Sequence, residues 1–228
     1  MATTCTALLA SHGYPALALA YFQEPGLPQT LTRVPLEYFT RALALLRAQP
    51  GVDPRRVYVM GASRGGEAAL LLGATFPQLV NGVLAFVPGS YVNSAIPDRG
   101  DSGWTLAGRD LPYAPVSKFG APAASVDPRA VIPVERIAGP VLLTCGEVDL
   151  EWPSCSFVDD VTQRLTAHHF RHPVTVLRYP DGGHLSGSLP PGTIYTIGEV
   201  ADFGGTVAGA QRSAQEAEAK ILALLGDR

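Results

Sequence analysis

The sequence predicts an α/β fold in which a mostly parallel sheet carries helices on both faces. Three observations carry this expectation. Five apolar runs of strand length lack strict polar alternation, as strands covered on both faces do. Segments with helical spacing lie between them, and strands that alternate with helices pair in parallel through crossover connections. The chain has 228 residues, 46% of them hydrophobic and 16% charged, enough for one well-buried domain.

In order along the chain, residues 16–22 (ALALAYF) read as the first strand. Residues 36–48 put Leu36, Phe39, Leu43 and Leu46 on one stripe, a helix bounded by Pro35 and by the pair Asp53 and Pro54. Residues 57–60 (VYVM) are the second strand, and 65–76 the helix that follows it. Residues 83–87 (VLAFV), 141–145 (VLLTC) and 174–179 (VTVLRY) are further strands. Residues 157–167, with Phe157, Val161 and Leu165, and residues 208–225 are further helices. Residues 88–131 break the rhythm with repeated glycine and proline. They read as a lid or binding-loop insertion in a single domain spanning 1–228.

Composition excludes several functions. Net charge is −3 with no basic block, which argues against a nucleic-acid partner, because phosphate binding needs clustered Lys and Arg. No apolar run approaches the ~18 residues of a membrane span. The start MATTCTALLASHGY lacks a charged region followed by a long apolar core, so no secretory signal is read there. Cys5, Cys145 and Cys155 are accordingly expected as reduced thiols of a cytoplasmic protein, Cys145 as a small core residue. His168, His169 and His172 crowd one helix end with no carboxylate or cysteine in ligand register, so no metal and no cofactor are expected.

The stretch VYVMGASRGGEAALL (57–71) bears the chemistry. It places G-x-S-x-G between a strand and a helix-forming segment. A serine nucleophile has to stand exposed on a sharp strand-to-helix turn, in a strained backbone conformation costing ~1–3 kcal/mol. Side chains two residues to either side would collide as strand and helix pack, which Gly61 and Gly65 relieve. The turn also aims the Arg64 backbone N–H and the helix N-terminus at the reaction centre, where they stabilise an oxyanion.

A serine hydroxyl near neutral pH needs a base. Of five histidines, His184 in YPDGGH (179–184) follows the last strand, at the edge where such sheets present ligand sites. The third member should follow the strand 141–145. GEVDLE (146–151) offers three carboxylates there, and Asp149, beyond the Gly146 turn and with the shorter side chain, is preferred. Glu147 and Glu151 remain alternatives. The order Ser63, Asp149, His184 is that of the α/β-hydrolase arrangement.

LEYF (36–39), GASRGGE (61–67), IPVER (132–136), GEVDLEW (146–152) and YPDGGH (179–184) together resemble the C-terminal domain of the acyl-CoA thioesterase / bile acid-CoA:amino acid N-acyltransferase family, as do FGG (203–205) and the final helix. The resemblance runs from about residue 8 to residue 225. It implies an α/β-hydrolase fold, a Ser63–Asp149–His184 triad and an acyl thioester substrate. In amidating members the nucleophile is cysteine; serine at position 63 favours hydrolysis. Family enzymes carry an N-terminal β-sandwich and early sheet strands that have no counterpart here. One such strand would lie between 16–22 and 57–60, and its following loop supplies the second oxyanion donor. Pairing with a second copy is one remedy for such an open sheet.

The expected activity is cleavage of acyl-CoA thioesters to free acid and coenzyme A. Tyr91, Trp104 and Tyr113 are the candidate substrate-binding side chains, with core packing the competing role for each. A carboxylesterase or dienelactone-type hydrolase would use the same three residues on an ester. A catalytically impaired interaction module is the non-enzymatic alternative.

Overall fold

The computed structural model describes residues 2–192 and 197–226. From the N-terminus the chain forms α1 (Ala2–Ser11), a short strand β1 (Val34–Pro35), α2 (Leu36–Arg47), β2 (Tyr58–Ala62), α3 (Arg64–Thr75), β3 (Gly82–Phe86), β4 (Trp104–Leu106) and β5 (Arg109–Asp110). It continues through β6 (Val141–Gly146), α4 (Ser154–Ala167), β7 (Val174–Tyr179), α5 (Ile197–Phe203) and α6 (Val207–Leu225). Four of the five runs read as strands pair in parallel in the order β2-β3-β6-β7.

Alternation along these strands divides the core. Val83, Ala85, Val141 and Leu143 face one side, where they pack with Leu36, Phe39 and Leu43 of α2, Leu70 and Leu72 of α3, and Val158 and Val161 of α4. Leu84, Phe86 and Leu142 face the other, against Cys5 of α1 and Ala217 and Ile221 of α6. The apolar runs lack polar alternation because both faces of β3 and β6 are covered.

Residues 16–22 are a correction: they form no strand. A strand needs a hydrogen-bonded neighbour, and β2, the nearest edge of the sheet, pairs only with β3. The segment instead runs beside a groove whose other wall is β2.

Residues 88–131 are folded against the body of the protein. β4 pairs with β1 in parallel and with β5 antiparallel. Single bridges join Tyr91 to Val131, Asn93 to Ala114 and Ser94 to Ser102.

The cysteines are a second correction. Cys145, at the end of β6, is disulfide-bonded to Cys155, in the first turn of α4; Cys5 is a buried free thiol. The loop 146–154 turns back on itself, so the two α-carbons stand 4.9 Å apart, within disulfide reach. Burial pushes the Cys5 thiol up to about 11. Among the described residues no helix is long and apolar enough to cross a membrane.

Candidate active site

β2 ends in a turn that places Ser63 at φ 57°, ψ −124°, directly before α3. This lies in the positive-φ region that a residue with a Cβ avoids. The turn is tight because Gly61 packs on Gly65: a Cβ on Gly61 would lie 2.2 Å from the Gly65 carbonyl oxygen. The crowding is one-sided. A Cβ on Gly65 would meet only the Tyr21 hydroxyl, at 3.6 Å. The Ser63 amide donates to the Phe86 carbonyl and its own carbonyl accepts from the Glu67 amide, so the turn is fixed at both ends. The amides of Arg64, Gly65 and Gly66 precede the first intrahelical bond and belong to the donor-rich end of α3.

The loops after β6 and β7 meet above the same sheet edge. A Cβ on Gly146 would lie 2.3 Å from the Gly182 carbonyl; that close approach lets the two loops interlock. The Val148 amide donates to the Gly182 carbonyl, and the amides of Leu150 and His184 both donate to the Phe203 carbonyl. Asp149 and His184 are thereby set face to face.

The result is a continuous row. His184 Nε2 lies 2.8 Å from Ser63 Oγ, and His184 Nδ1 lies 2.9 Å and 3.1 Å from the two Asp149 carboxylate oxygens. The Asp149 carboxylate also accepts from the amides of Glu151 and Trp152. His184 is 8% exposed and the Asp149 side chain 1%. Such a row can move the serine proton to the imidazole while the carboxylate holds the ring and its charge. Glu147 and Glu151 both stand exposed, and Glu147 lies 3.7 Å from Arg178.

Two aromatic side chains with no assigned role in the sequence reading enclose the imidazole. Trp152 meets it edge-on at 5.5 Å and Phe203 stacks on it at 5.9 Å. Trp152 is anchored through its indole N–H to the Val87 carbonyl. Both residues lie within the motifs GEVDLEW and FGG, which were the only signal available.

Behind the turn, Arg64 points inward. Its guanidinium meets the Glu67 carboxylate at 2.8 Å and donates to the carbonyls of Asn93 and Ser94. Glu67 is fully buried and also accepts from Trp104 Nε1, the Asn93 amide and Asn93 Nδ2. A buried carboxylate is tolerable because every lone pair is used. Burial raises the Tyr21 hydroxyl to about 12, the charges of Arg64 and Glu67 acting after it.

The other sequence candidates sit elsewhere. Tyr91 and Trp104 are fully buried; the Tyr91 hydroxyl donates to the Lys118 carbonyl and the Trp104 indole to Glu67. The Tyr113 hydroxyl donates to the Gly100 carbonyl. Among the described residues no ring contact or hydrogen bond joins these three to Ser63, Asp149 or His184. His168, His169 and His172 are exposed beyond the end of α4.

Residues 34–104 and 109–225 match the family described as BAAT / Acyl-CoA thioester hydrolase C terminal. The chain is 34% identical over 185 residues to human acyl-coenzyme A thioesterase 2, mitochondrial, covering 78% of this chain and 38% of that protein. It is 33% identical over 225 residues to acyl-coenzyme A thioesterase 6 of Mus musculus, covering 91% of this chain and 52% of that one. The chain thus spans about half or less of the length of these relatives. Among solved structures, a chain from a study of two prolyl endopeptidases superimposes with a TM-score of 0.52 at 18% identity, covering 83% of this chain and 25% of that one.

Proposed function

The chain belongs to the BAAT / acyl-CoA thioester hydrolase C-terminal family and has the α/β-hydrolase fold, and from this premise we propose that it hydrolyses acyl-CoA thioesters to free acid and coenzyme A. The single observation that carries the proposal is the hydrogen-bonded row Ser63–His184–Asp149, with Ser63 held at positive φ at the start of α3.

In this reading Ser63 Oγ attacks the thioester carbonyl as His184 Nε2 takes its proton. Asp149 accepts from Nδ1, fixes the tautomer and stabilises the imidazolium. The negative charge on the carbonyl oxygen develops at the N-terminus of α3, where the Arg64 backbone N–H is the assigned donor. The imidazolium protonates the departing thiolate of coenzyme A. Water then attacks the acyl-serine, His184 accepts its proton, and the acid leaves with Ser63 restored. Trp152 and Phe203 limit water around the imidazole, which strengthens its two hydrogen bonds. Trp152 is itself backed by Tyr91, Ala114 and Val126 of residues 88–131 and by Phe157, in one apolar cluster.

The test pairs labelling with substrate preference. A fluorophosphonate probe should label Ser63 and nothing in Ser63→Ala, and the wild-type chain should release thiol from palmitoyl-CoA with a higher kcat/KM than it cleaves p-nitrophenyl acetate. Preference for the ester would make it a carboxylesterase. No labelling of folded protein would leave an interaction module.

A further inference from the structure

The Arg64 N–H assigned to the oxyanion belongs to the peptide that joins Ser63 to Arg64, and that peptide is held from two directions by one residue. The first hold is at its other end. A trans peptide is planar, with C=O and N–H pointing opposite ways, and the Ser63 carbonyl accepts from the Glu67 amide at 3.0 Å. The second hold is through the Arg64 side chain. Its Nη1 donates to Glu67 Oε2 at 2.8 Å, and its Nη2 donates to the carbonyls of Ser94 and Asn93 at 3.0 Å and 3.3 Å. The fork lies so close to the chain at Gly103 that a Cβ there would stand 2.3 Å from Nη2. The arrangement is also costly. Glu67 and Arg64 are both buried, and the Arg64 Nε–H, likewise buried, has no partner among the described residues. An ion pair buried with an unmet donor is a poor source of stability, because desolvation offsets the attraction.

We propose that Glu67 is a positioning residue for the oxyanion: its carboxylate seats the Arg64 guanidinium, and the seated side chain fixes the backbone whose N–H meets the carbonyl oxygen of the substrate. Trp104 Nε1 at 2.7 Å, the Asn93 amide at 3.1 Å and Asn93 Nδ2 at 2.8 Å hold the carboxylate in turn, so the chain between Asn93 and Trp104 braces the oxyanion donor from behind. The bond from the Glu67 amide survives any substitution at position 67; the carboxylate is the part that sets Arg64. Stabilisation of a developing charge depends on donors that do not reorganise during the reaction, and a misplacement of about 1 Å can cost about a hundredfold in rate. The role rests on the hydrolase reading above and lies outside the row Ser63–His184–Asp149.

The test compares wild type with Arg64→Met/Glu67→Gln and with Gly103→Ala. The double variant removes both buried charges, so neither is stranded, and glutamine keeps an acceptor for Trp104. Gly103→Ala leaves every member of the network in place and displaces only the tip of the fork. Competent sites are counted by fluorophosphonate labelling taken to completion. The kcat is then expressed per labelled site, on whichever of palmitoyl-CoA and p-nitrophenyl acetate the wild type turns over faster. It should fall about a hundredfold in the double variant, as on losing one oxyanion donor, and about tenfold in Gly103→Ala. KM should stay within about threefold of wild type, because the lost contact acts in the transition state. A residue that only stabilised the fold would lower the number of labelled sites and leave kcat per site unchanged. Wild-type kcat per labelled site in either variant would overturn the proposal. A double variant that does not fold would overturn it too, because the network would then be holding the fold. A wild-type chain that takes no label would remove the hydrolase reading and this role with it, whereas a preference for the ester would change the substrate and leave the role of Glu67 standing.

Discussion

His184 Nε2 reaches to within 2.8 Å of Ser63 Oγ across 121 residues of chain, although their strands, β7 and β2, are separated in the sheet by β3 and β6. The loop after β7 must therefore cross two strand ends. Thr144 of β6 holds it in that path: its hydroxyl donates to the Ser186 carbonyl at 3.0 Å and accepts from the Val87 amide at 3.3 Å. Thr144 is fully buried, so Thr144→Val keeps the shape and leaves the Ser186 carbonyl unpaired. Denaturant unfolding should show a loss of about 1–2 kcal/mol. Turnover should fall about tenfold as the imidazole drifts from its register. Unchanged turnover in a destabilised variant would show that the loop needs no such tie.

Asp149→Asn should reduce kcat by about four orders of magnitude, because an amide can donate to Nδ1 and stabilise the wrong tautomer. Glu147→Gln and Glu151→Gln, at exposed positions of the same loop, should leave turnover within about twofold, as substitutions outside the row ordinarily do. Equal losses at Asp149 and either glutamate would refute the assignment of the carboxylate.

The unequal legibility of these features has physical causes. That Ser63, Asp149 and His184 meet was readable because each follows an apolar run that is a true strand, and parallel strands deliver their C-terminal loops to one rim. Residues 16–22 misled because strand composition reports a chain fit to be paired, whereas pairing depends on a neighbour. Glu67 carries no local mark of its burial in the sequence. Its burial depends on Arg64, Asn93 and Trp104, up to 37 residues away, which no local pattern encodes. Cys145 and Cys155 fell within a run and a helix start whose loop geometry the spacing alone does not fix.

Ser63→Gly should lose turnover yet gain stability. Ser63→Ala removes the same hydroxyl but keeps a Cβ at φ 57°. The difference between the two variants therefore isolates backbone strain from the lost hydrogen bond to His184. Glycine should come out more stable than alanine by about 1 kcal/mol, after allowing for its larger unfolded-state entropy. Urea titrations of both proteins measure it. A glycine variant no more stable than the alanine one would mean that the turn stores no strain.

Glu135 and Arg164 predict an acid-dependent term. Arg164 donates to both carboxylate oxygens of Glu135, at 2.6 Å and 2.9 Å, tying the segment before β6 to α4, and these hydrogen bonds hold the carboxyl below its ordinary value of 4.5. A carboxylate with a lowered folded-state pKa stabilises the fold fully above its unfolded-state value, and that stabilisation is lost as pH falls through the folded-state value. Glu135→Gln should therefore cost about 1 kcal/mol at pH 7, and the gap to wild type should close progressively below pH 4.5. Thermal melts across pH 3 to 7 test the sign; a gap that widens in acid would contradict it.

The Cys145–Cys155 disulfide brackets the loop that carries Asp149 and Trp152, two of the residues that touch His184. Cross-linking a loop this short removes unfolded-state freedom worth about 2–3 kcal/mol. The same link restrains the loop in the folded state, because Cys145 closes β6 and Cys155 lies in the first turn of α4. Cys145→Ser/Cys155→Ser should therefore melt earlier by an amount matching that free energy. It should also turn over more slowly, since freedom in the loop lets the carboxylate swing from Nδ1. Wild-type protein held in excess dithiothreitol should approach the variant in both measurements and recover on reoxidation, whereas the variant should be indifferent to reductant. If melting temperature and kcat/KM are the same for the oxidised, reduced and serine forms, the bond neither stabilises the fold nor restrains Asp149.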